Sequence, residues 1–227
     1  PFVIGGWGTR GKSGTERLKA ALFNAHGISL ISKTTGCEAQ FLYAPLHRPL
    51  KELFLFRPYD KASIWEQLHL TRLAAKLKVN VLLWECMGLT PRYINILQQQ
   101  WMRDDLATIT NCYPDHEDIQ GPSGIDIPKV MMRFTPKNAT LITSEDSMSP
   151  LLANAARDNN SEFHKISWHQ GEFLAPDILE RFPYEEHPTN IALVLKMAEV
   201  LGFPKDMAIK SIADNVVPDL GVLKIYP

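Results

Sequence analysis

The stretch Gly6-Trp-Gly-Thr-Arg-Gly-Lys-Ser13 decides the fold. It matches G-x-x-x-x-G-K-[ST] in full, with the apolar run Phe2–Ile4 entering it and an amphipathic segment, Ser13–His26, leaving it. Strand, glycine-rich turn and helix in that order wrap backbone N–H groups and a helix N-terminus around a chain of phosphates. In this reading Gly8, Thr9, Arg10, Gly11, Lys12, Ser13 and Gly14 cradle ATP. Lys12 reaches the β- and γ-phosphates and the Ser13 hydroxyl ligates Mg²⁺. The bland alternative is a glycine-rich turn that merely joins a strand to a helix.

Outward from this motif, short apolar runs alternate with helical patterns. Ile28–Ile31, Val79–Trp84, Leu106–Thr110, Thr140–Thr143 and Phe163–Ile166 read as further strands. Gly27 closes the first helix, and Ser63–Lys78 carries Leu70, Leu73, Ala74 and Leu77 on one stripe. Ile191, Val194, Leu195, Ala198 and Leu201 form another stripe, and Pro204 opens a helix through Ile212. The alternation predicts an α/β domain containing a P-loop, with a mostly parallel sheet flanked by helices. Ala44–Asp60, with three prolines, and Glu172–Pro188 are expected to be irregular excursions.

Composition agrees with one domain. The 227 residues are 45% apolar and 22% charged, so folding buries a substantial core without staples. Cys37, Cys86 and Cys112, an odd number with no close pair, argue against a disulfide framework or a structural zinc site and fit a reducing, cytoplasmic compartment. No run approaches the roughly 20 apolar residues that span a bilayer. The net charge is −1 and the Lys/Arg are scattered, so no nucleic-acid partner is expected. The start in mid-strand, with no leader pattern, leads to the expectation that residues 1–227 are a single ATP-binding domain of a longer protein.

A phosphate cradle needs an acid to hold its metal, and Glu85 ends the strand Val79–Trp84, at the edge that faces the ligand crevice. Thr110-Asn-Cys-Tyr-Pro-Asp-His-Glu-Asp118 follows the next strand, where His116, between Asp115 and Asp118, has the surroundings of a metal ligand. Taken alone, Glu85 reads more readily as a solvated strand-end acid, and His116 reads equally as a surface histidine in an acidic turn. Ser13, Glu85 and His116 together offer oxygen ligands and one imidazole, suited to Mg²⁺ or Mn²⁺.

The order G-T-R-G-K-S, a strand ending in W-E-C-M, then T-N-x-x-x-D-H-x-D-x-x-G resembles the ATP-binding central domain of the Mur ligase superfamily. Glu85-Cys-Met87, Thr110-Asn111, Asp115-His116, Asp118 and Gly121-Pro122 are similar to the catalytic subunits of poly-γ-glutamate synthetases, the CapB/PgsB type. Lys33-Thr-Thr-Gly36, Ile64–Gln67 and Pro218-Asp219 with Gly221 extend the match over nearly the whole chain. The resemblance implies an ADP-forming ligase: ATP phosphorylates a carboxylate, and an amine attacks the acyl phosphate. Lys12, Glu85 and His116 are then catalytic, and Ser13, Glu85 and His116 gather Mg²⁺. Thr34, Thr35, Gly36, Arg57 and Asp115 face the carboxylate and amino-acid substrates, glutamate among them. The resemblance also admits membrane-anchored partner subunits at the inner membrane surface, and self-association.

Several positions depart from the family pattern. The region of the carbamylated lysine of many Mur ligases reads Lys129-Val-Met-Met-Arg133, and no residue there is assigned that role. Glu186-His-Pro-Thr-Asn190 puts His187 in place of the first nucleotide-side asparagine and keeps Asn190, which also reads as a helix N-cap. An arginine common at the domain's end is absent from Pro218–Lys224. Because the cradle begins at residue 6, no N-terminal UDP-binding domain is expected, and a smaller C-terminal domain, as in family members, is expected to be missing from this stretch. ATP binding with slow hydrolysis is therefore expected of this stretch by itself. A P-loop kinase or nucleoside triphosphatase shares the cradle but has no use for D-H-x-D-x-x-G. A non-catalytic ATP-binding domain is the third reading.

Overall fold

The computed structural model describes residues 1–35, 40–57, 62–87, 90–167, 169–172, 174 and 176–219. Gly36, Cys37 and Gly221, singled out above, lie outside the described residues, as does the end of Pro218–Lys224 from residue 220 on. Eight strands among them form one sheet: β1 (Phe2–Trp7), β2 (Leu30–Lys33), β3 (Gln40–Ala44), β4 (Lys51–Phe54), β5 (Val81–Glu85), β6 (Leu106–Ile109), β7 (Thr140–Thr143) and β8 (Glu162–Lys165). Their order is β4-β3-β2-β5-β1-β6-β7-β8. From β2 to β8 all neighbours are parallel, while β3 and β4 add an antiparallel edge. All six strands read from the sequence are present. The stretch expected to be irregular after Ala44 instead holds β4, whose Lys51–Phe54 pairs with Gln40–Tyr43. Half-exposed strands at a sheet edge lack the continuous apolar run that marks a buried one.

The helices are α1 (Lys12–Ala25), α2 (Trp65–Leu77), α3 (Pro91–Asn95), α4 (Glu117–Gln120), α5 (Asp126–Met131), α6 (Ser149–Asp158), α7 (His169–Glu172), α8 (Pro176–Leu179), α9 (Pro188–Val200) and α10 (Lys205–Asn215). α3 runs on as a π-helical segment, Ile96–Met102, and α5 as a 3₁₀ turn, Met132–Phe134. Side chains alternate across the sheet, so each strand feeds two cores. Ile4, Leu83, Leu106 and Ile142 pack against Leu18 and Leu22 of α1, Leu193 and Met197 of α9, and Ile212 of α10. Leu82, Trp84, Ala107 and Leu141 pack on the other face against Leu70 of α2, Ile94 of α3, Val130 of α5 and Leu152 of α6. Glu172–Pro188, read as irregular, contains the single-turn helix α8. No helix among the described residues is long and apolar enough to cross a membrane.

The strand order reverses between β1 and β5, and a ligand crevice opens beyond the carboxyl ends of strands at such a point. Parallel register puts Gly6 level with Glu85 on one side and Thr108 on the other. The glycine-rich turn and Glu85 therefore leave the sheet at the same height.

Candidate active site

Gly11 ends the turn with φ 82, a left-handed conformation, and immediately precedes the first residue of α1. A Cβ there would stand 2.6 Å from Asn190 Oδ1, and one on Gly8 would collide with the Thr110 hydroxyl. Both positions thus need glycine for space as well as for φ. No side chain caps α1, so its opening N–H groups are left to a ligand. Lys12 Nζ donates to the Thr9 carbonyl at 3.0 Å, which folds the ammonium across its own loop.

Thr110 and Asn111, at the end of β6, hold the loop from the side. Asn111 Oδ1 accepts from Arg10 N at 2.9 Å and its Nδ2 donates back to Arg10 O at 3.0 Å, so one amide side chain imitates a strand partner. Thr110 Oγ1 donates to Arg10 O at 2.6 Å, and Thr9 Oγ1 to Tyr113 O at 2.7 Å. Arg10 in turn pairs with Asp115 at 2.8 Å. Desolvation opposes it, but the Arg10 hydrogen bond and nearby His116 hold the Asp115 carboxyl below the usual range.

Glu85 is buried, and its carboxylate collects hydroxyl and amide donors from two sides. Ser13 Oγ donates to Oε2 at 2.8 Å, Thr35 N donates to the same oxygen at 2.8 Å, and Thr35 Oγ1 donates to Oε1. Gln67 Nε2 fixes the Glu85 carbonyl at 2.8 Å. One carboxylate and two hydroxyls at the mouth of a phosphate loop form a hard-oxygen donor set that fits a small divalent cation. His116 stands apart from this cluster. It sits on a left-handed turn (φ 50), half exposed, with Nε2 3.8 Å from Asp115 Oδ2 and no hydrogen bond or ion pair to Ser13 or Glu85. Among the described residues no three His, Cys, Asp or Glu side chains converge as a metal cluster.

Behind Glu85 lies a buried charge network that the sequence reading only touched. Lys33 Nζ, fully enclosed, pairs with Glu66 Oε2 at 3.2 Å and donates to Thr34 O at 3.2 Å. Arg57 grips Glu66 through Nε at 3.0 Å and a second nitrogen at 3.3 Å. Arg57, expected to face the substrate, is therefore engaged by Glu66. Desolvation lowers the Lys33 ammonium against the pull of Glu66 and Glu85. Glu66 resists its own desolvation and is held low by Arg57 and Lys33. Ile64–Gln67 is part of the family match, but nothing in one sequence pairs Glu66, in the first turn of α2, with the lysine that ends β2. Beneath the loop, Lys19 Nζ bonds Glu16 at 2.5 Å and the Thr108 hydroxyl at 2.7 Å. Burial lifts the Glu16 carboxyl to about 7 despite Lys19.

Beside the loop a cavity of about 600 Å³ is lined by Arg10, Gly11, Asn111, Tyr113, Glu145, Asp146, His187 and Asn190 among others. His187 and Asn190 thus line one cavity with Arg10 and Gly11 of the loop. Asn190 is not the helix cap: Pro188 opens α9, and His187 before it caps the helix by accepting from Thr189 N at 3.3 Å. A proline disfavours helical backbone at the residue before it, which fixes the boundary there. Asn190 lies within the first turn, donating to Glu186 Oε1 at 2.9 Å. Glu145 and Asp146 were missed, although they follow β7 at the same strand-end edge as Glu85. Glu145 accepts from Cys112 N at 2.6 Å and Met148 N at 2.9 Å, and so ties this wall to the end of β6.

Two curated proteins are similar over nearly all of the chain. PGA synthase CapB of Bacillus subtilis (strain 168) is 28% identical over 222 residues, 97% of this chain and 54% of the relative. Capsule biosynthesis protein CapB of Bacillus anthracis is 28% identical over 220 residues, 96% of this chain and 46% of the relative. The chain spans about half the length of these relatives. Among solved structures, E. coli FolC in complex with DHPP and ADP superposes with TM-score 0.68 at 19% identity, covering 100% of this chain and 59% of that one. A bifunctional folylpolyglutamate synthase/dihydrofolate synthase from Yersinia pestis, complexed with AMPPNP and Mn ion, gives 0.68 at 16% identity, covering 96% and 58%. No family model matches the chain. The chain is thus similar in sequence to CapB proteins over nearly all of its length and shares its fold with folylpolyglutamate synthases.

Proposed function

We propose that this chain is the ATP-binding catalytic domain of an ADP-forming carboxylate–amine ligase that joins glutamate units into a γ-linked polymer. The carrying observation is the constellation at the loop mouth. Ser13 and Thr35 converge on Glu85, at the level of the phosphate loop, in a chain similar to a PGA synthase over 97% of its length. In this reading Gly8–Gly14 enclose the phosphates through backbone N–H groups. Lys12 leaves the Thr9 carbonyl to meet the β- and γ-phosphates. Ser13 and Glu85 would hold Mg²⁺ or Mn²⁺, joined by His116 if its turn moves, and the ion would neutralise charge on the transferring phosphoryl group. Thr34 and Thr35 border the carboxylate substrate, Asp115 positions Arg10 on the cradle, and His187 and Asn190 line the nucleoside side.

The reaction balances as two displacements. A substrate carboxylate oxygen bonds to the γ-phosphorus and ADP leaves; the amine nitrogen then bonds to the acyl carbon, phosphate leaves and a proton is released. Positioning and charge neutralisation supply most of such catalysis, which is why a cradle, a lysine and an acid suffice as a framework. Membrane-anchored partner subunits and self-association belong to the same proposal. The test supplies Mg-ATP, a glutamate carboxylate donor and an amine acceptor to the full-length protein, then measures ADP release and the amide product by mass spectrometry. Release that requires both substrates, with one amide per ADP, is expected. ATP hydrolysis without amide, a stable phosphorylated product, or binding without turnover would replace the ligase by an ATPase, a kinase or a binding domain.

A further inference from the structure

Four basic side chains that the crevice does not use gather on one face of the molecule. Arg92 belongs to α3, Lys129 to α5, Arg133 to the 3₁₀ turn after it, and Lys137 to the loop before β7. All are exposed, and none has an ion-pair or side-chain hydrogen-bond partner among the described residues. Arg10, Arg17, Lys19, Lys33, Arg57 and Arg181, in contrast, each meet a carboxylate.

These cations line two concavities, of about 560 and 630 Å³, that share Asn95, Gln100 and Arg133 and so form one groove. Its direction follows from the topology. One end is Pro91–Arg92, shortly after β5 delivers Glu85 to the crevice; the other is Lys137 and Asn159, just before β7 and β8 begin. The groove therefore descends from the crevice side of the sheet to the opposite side, between the α3 helix with its π-helical continuation and α5. Asp158 is its one carboxylate, and side-chain amides supply both donors and acceptors. Among the described residues no aromatic side chain lines it, so they offer no platform for stacked bases.

Unpaired cations along a track, interleaved with amides, match an extended chain that carries repeated carboxylates on amide linkages. We propose that this groove binds the acidic glutamyl polymer, guiding product away from the crevice. The proposal rests on the ligase reading for the identity of its ligand. Single surface cations contribute little, but several acting on one chain add up.

The test is fluorescence anisotropy of a labelled γ-linked glutamate oligomer with the full chain, without ATP. Binding that weakens as salt rises, and that free glutamate does not displace, is expected. The quadruple variant R92E/K129E/R133E/K137E should bind at least about tenfold more weakly. ATP affinity by calorimetry should be unchanged, and the corresponding quadruple glutamine variant should fall in between. No oligomer binding, equal binding by the charge-reversed variant while it retains ATP affinity, or preferential displacement by single-stranded RNA or inorganic polyphosphate would overturn the proposal. Absence of ATP-dependent amide formation would remove the ligase reading and leave a measured oligomer site standing, so the two failures are distinguishable.

Discussion

The Ser13 hydroxyl and the Glu85 carboxylate meet at 2.8 Å although 72 residues separate them. Their contact joins the first turn of the phosphate-loop helix to the strand on the far side of the topological switch. Replacing Glu85 by Gln keeps the shape and removes the negative charge. The variant is expected to lose at least about 100-fold in Mg²⁺-dependent turnover, because ion charge is a major part of phosphoryl-transfer stabilisation. A Mn²⁺ titration followed by electron paramagnetic resonance checks it: undiminished ion affinity in Glu85→Gln would remove Glu85 from the metal set.

Lys12 is only partly buried and donates to the Thr9 carbonyl of its own loop, so its replacement barely touches the core. Lys12→Ala should weaken ATP binding by about 10- to 100-fold, the worth of a hydrogen bond to a charged group. Isothermal calorimetry giving equal affinities would refute the cradle assignment.

Gly11 combines φ 82 with the approach of Asn190 Oδ1 to within 2.6 Å of a would-be Cβ. Gly11→Ala should cost about 1–3 kcal/mol in urea unfolding. Asn190→Ala in the same chain should recover only the steric part, since it cannot change the backbone angle.

The buried network behind Glu85 gives an ordering of two variants. Glu66→Leu strands both Lys33 and Arg57 and should cost about 3–5 kcal/mol. Lys33→Met leaves Glu66 paired with Arg57 and should cost less. Denaturant midpoints in the reverse order would show that Lys33, rather than Glu66, organises the cluster.

Asp104 is buried and receives Trp84 Nε1 at 2.6 Å and Gln98 Nε2 at 2.8 Å, yet desolvation pushes its carboxyl up to about 8. The native state thus holds a proton that the unfolded chain has released. This stabilisation is complete below about pH 4 and disappears as pH rises through about 8, at no more than about 1.4 kcal/mol per pH unit. Unfolding measured from pH 5 to 8 should show stability declining in the native chain and a flatter profile in Asp104→Asn. Parallel profiles would place the titration elsewhere.

The elements legible in the sequence are those with a local signature. The glycine-rich turn states its conformation in Gly8 and Gly11, and β5 shows the continuous apolar run Val81–Trp84 because both its faces are covered. β4 was illegible for the opposite reason: as an edge strand with exposed Phe54 it shows no such run, and its prolines lie in the flanking chain. In the site, Ser13 and Glu85 were recovered from motif and strand end. The Lys33–Glu66–Arg57 network was not, since it depends on the end of β2, the first turn of α2 and the chain after β4 becoming neighbours. The missed cap at His187 shows a proline rule outranking an asparagine preference. Lys129, set aside because it matched no family position, turned out to line the groove with Arg92, a neighbour only in three dimensions.

The central place of β1 has a consequence for how the molecule comes into being. Its partners are Val81–Glu85 and Leu106–Ile109, and the glycine-rich turn that follows is pinned by Asn111. Every ladder hydrogen bond of that strand therefore awaits chain that is synthesised much later. A peptide of the first sixty residues would carry the whole nucleotide motif and the β2-β3-β4 edge, yet neither strand that pairs with β1. High sequence separation of this kind makes the closing step slow and cooperative. The amides of β1 should consequently be among the last to gain protection in pulse-labelled refolding and to exchange only with global opening once the sheet is complete.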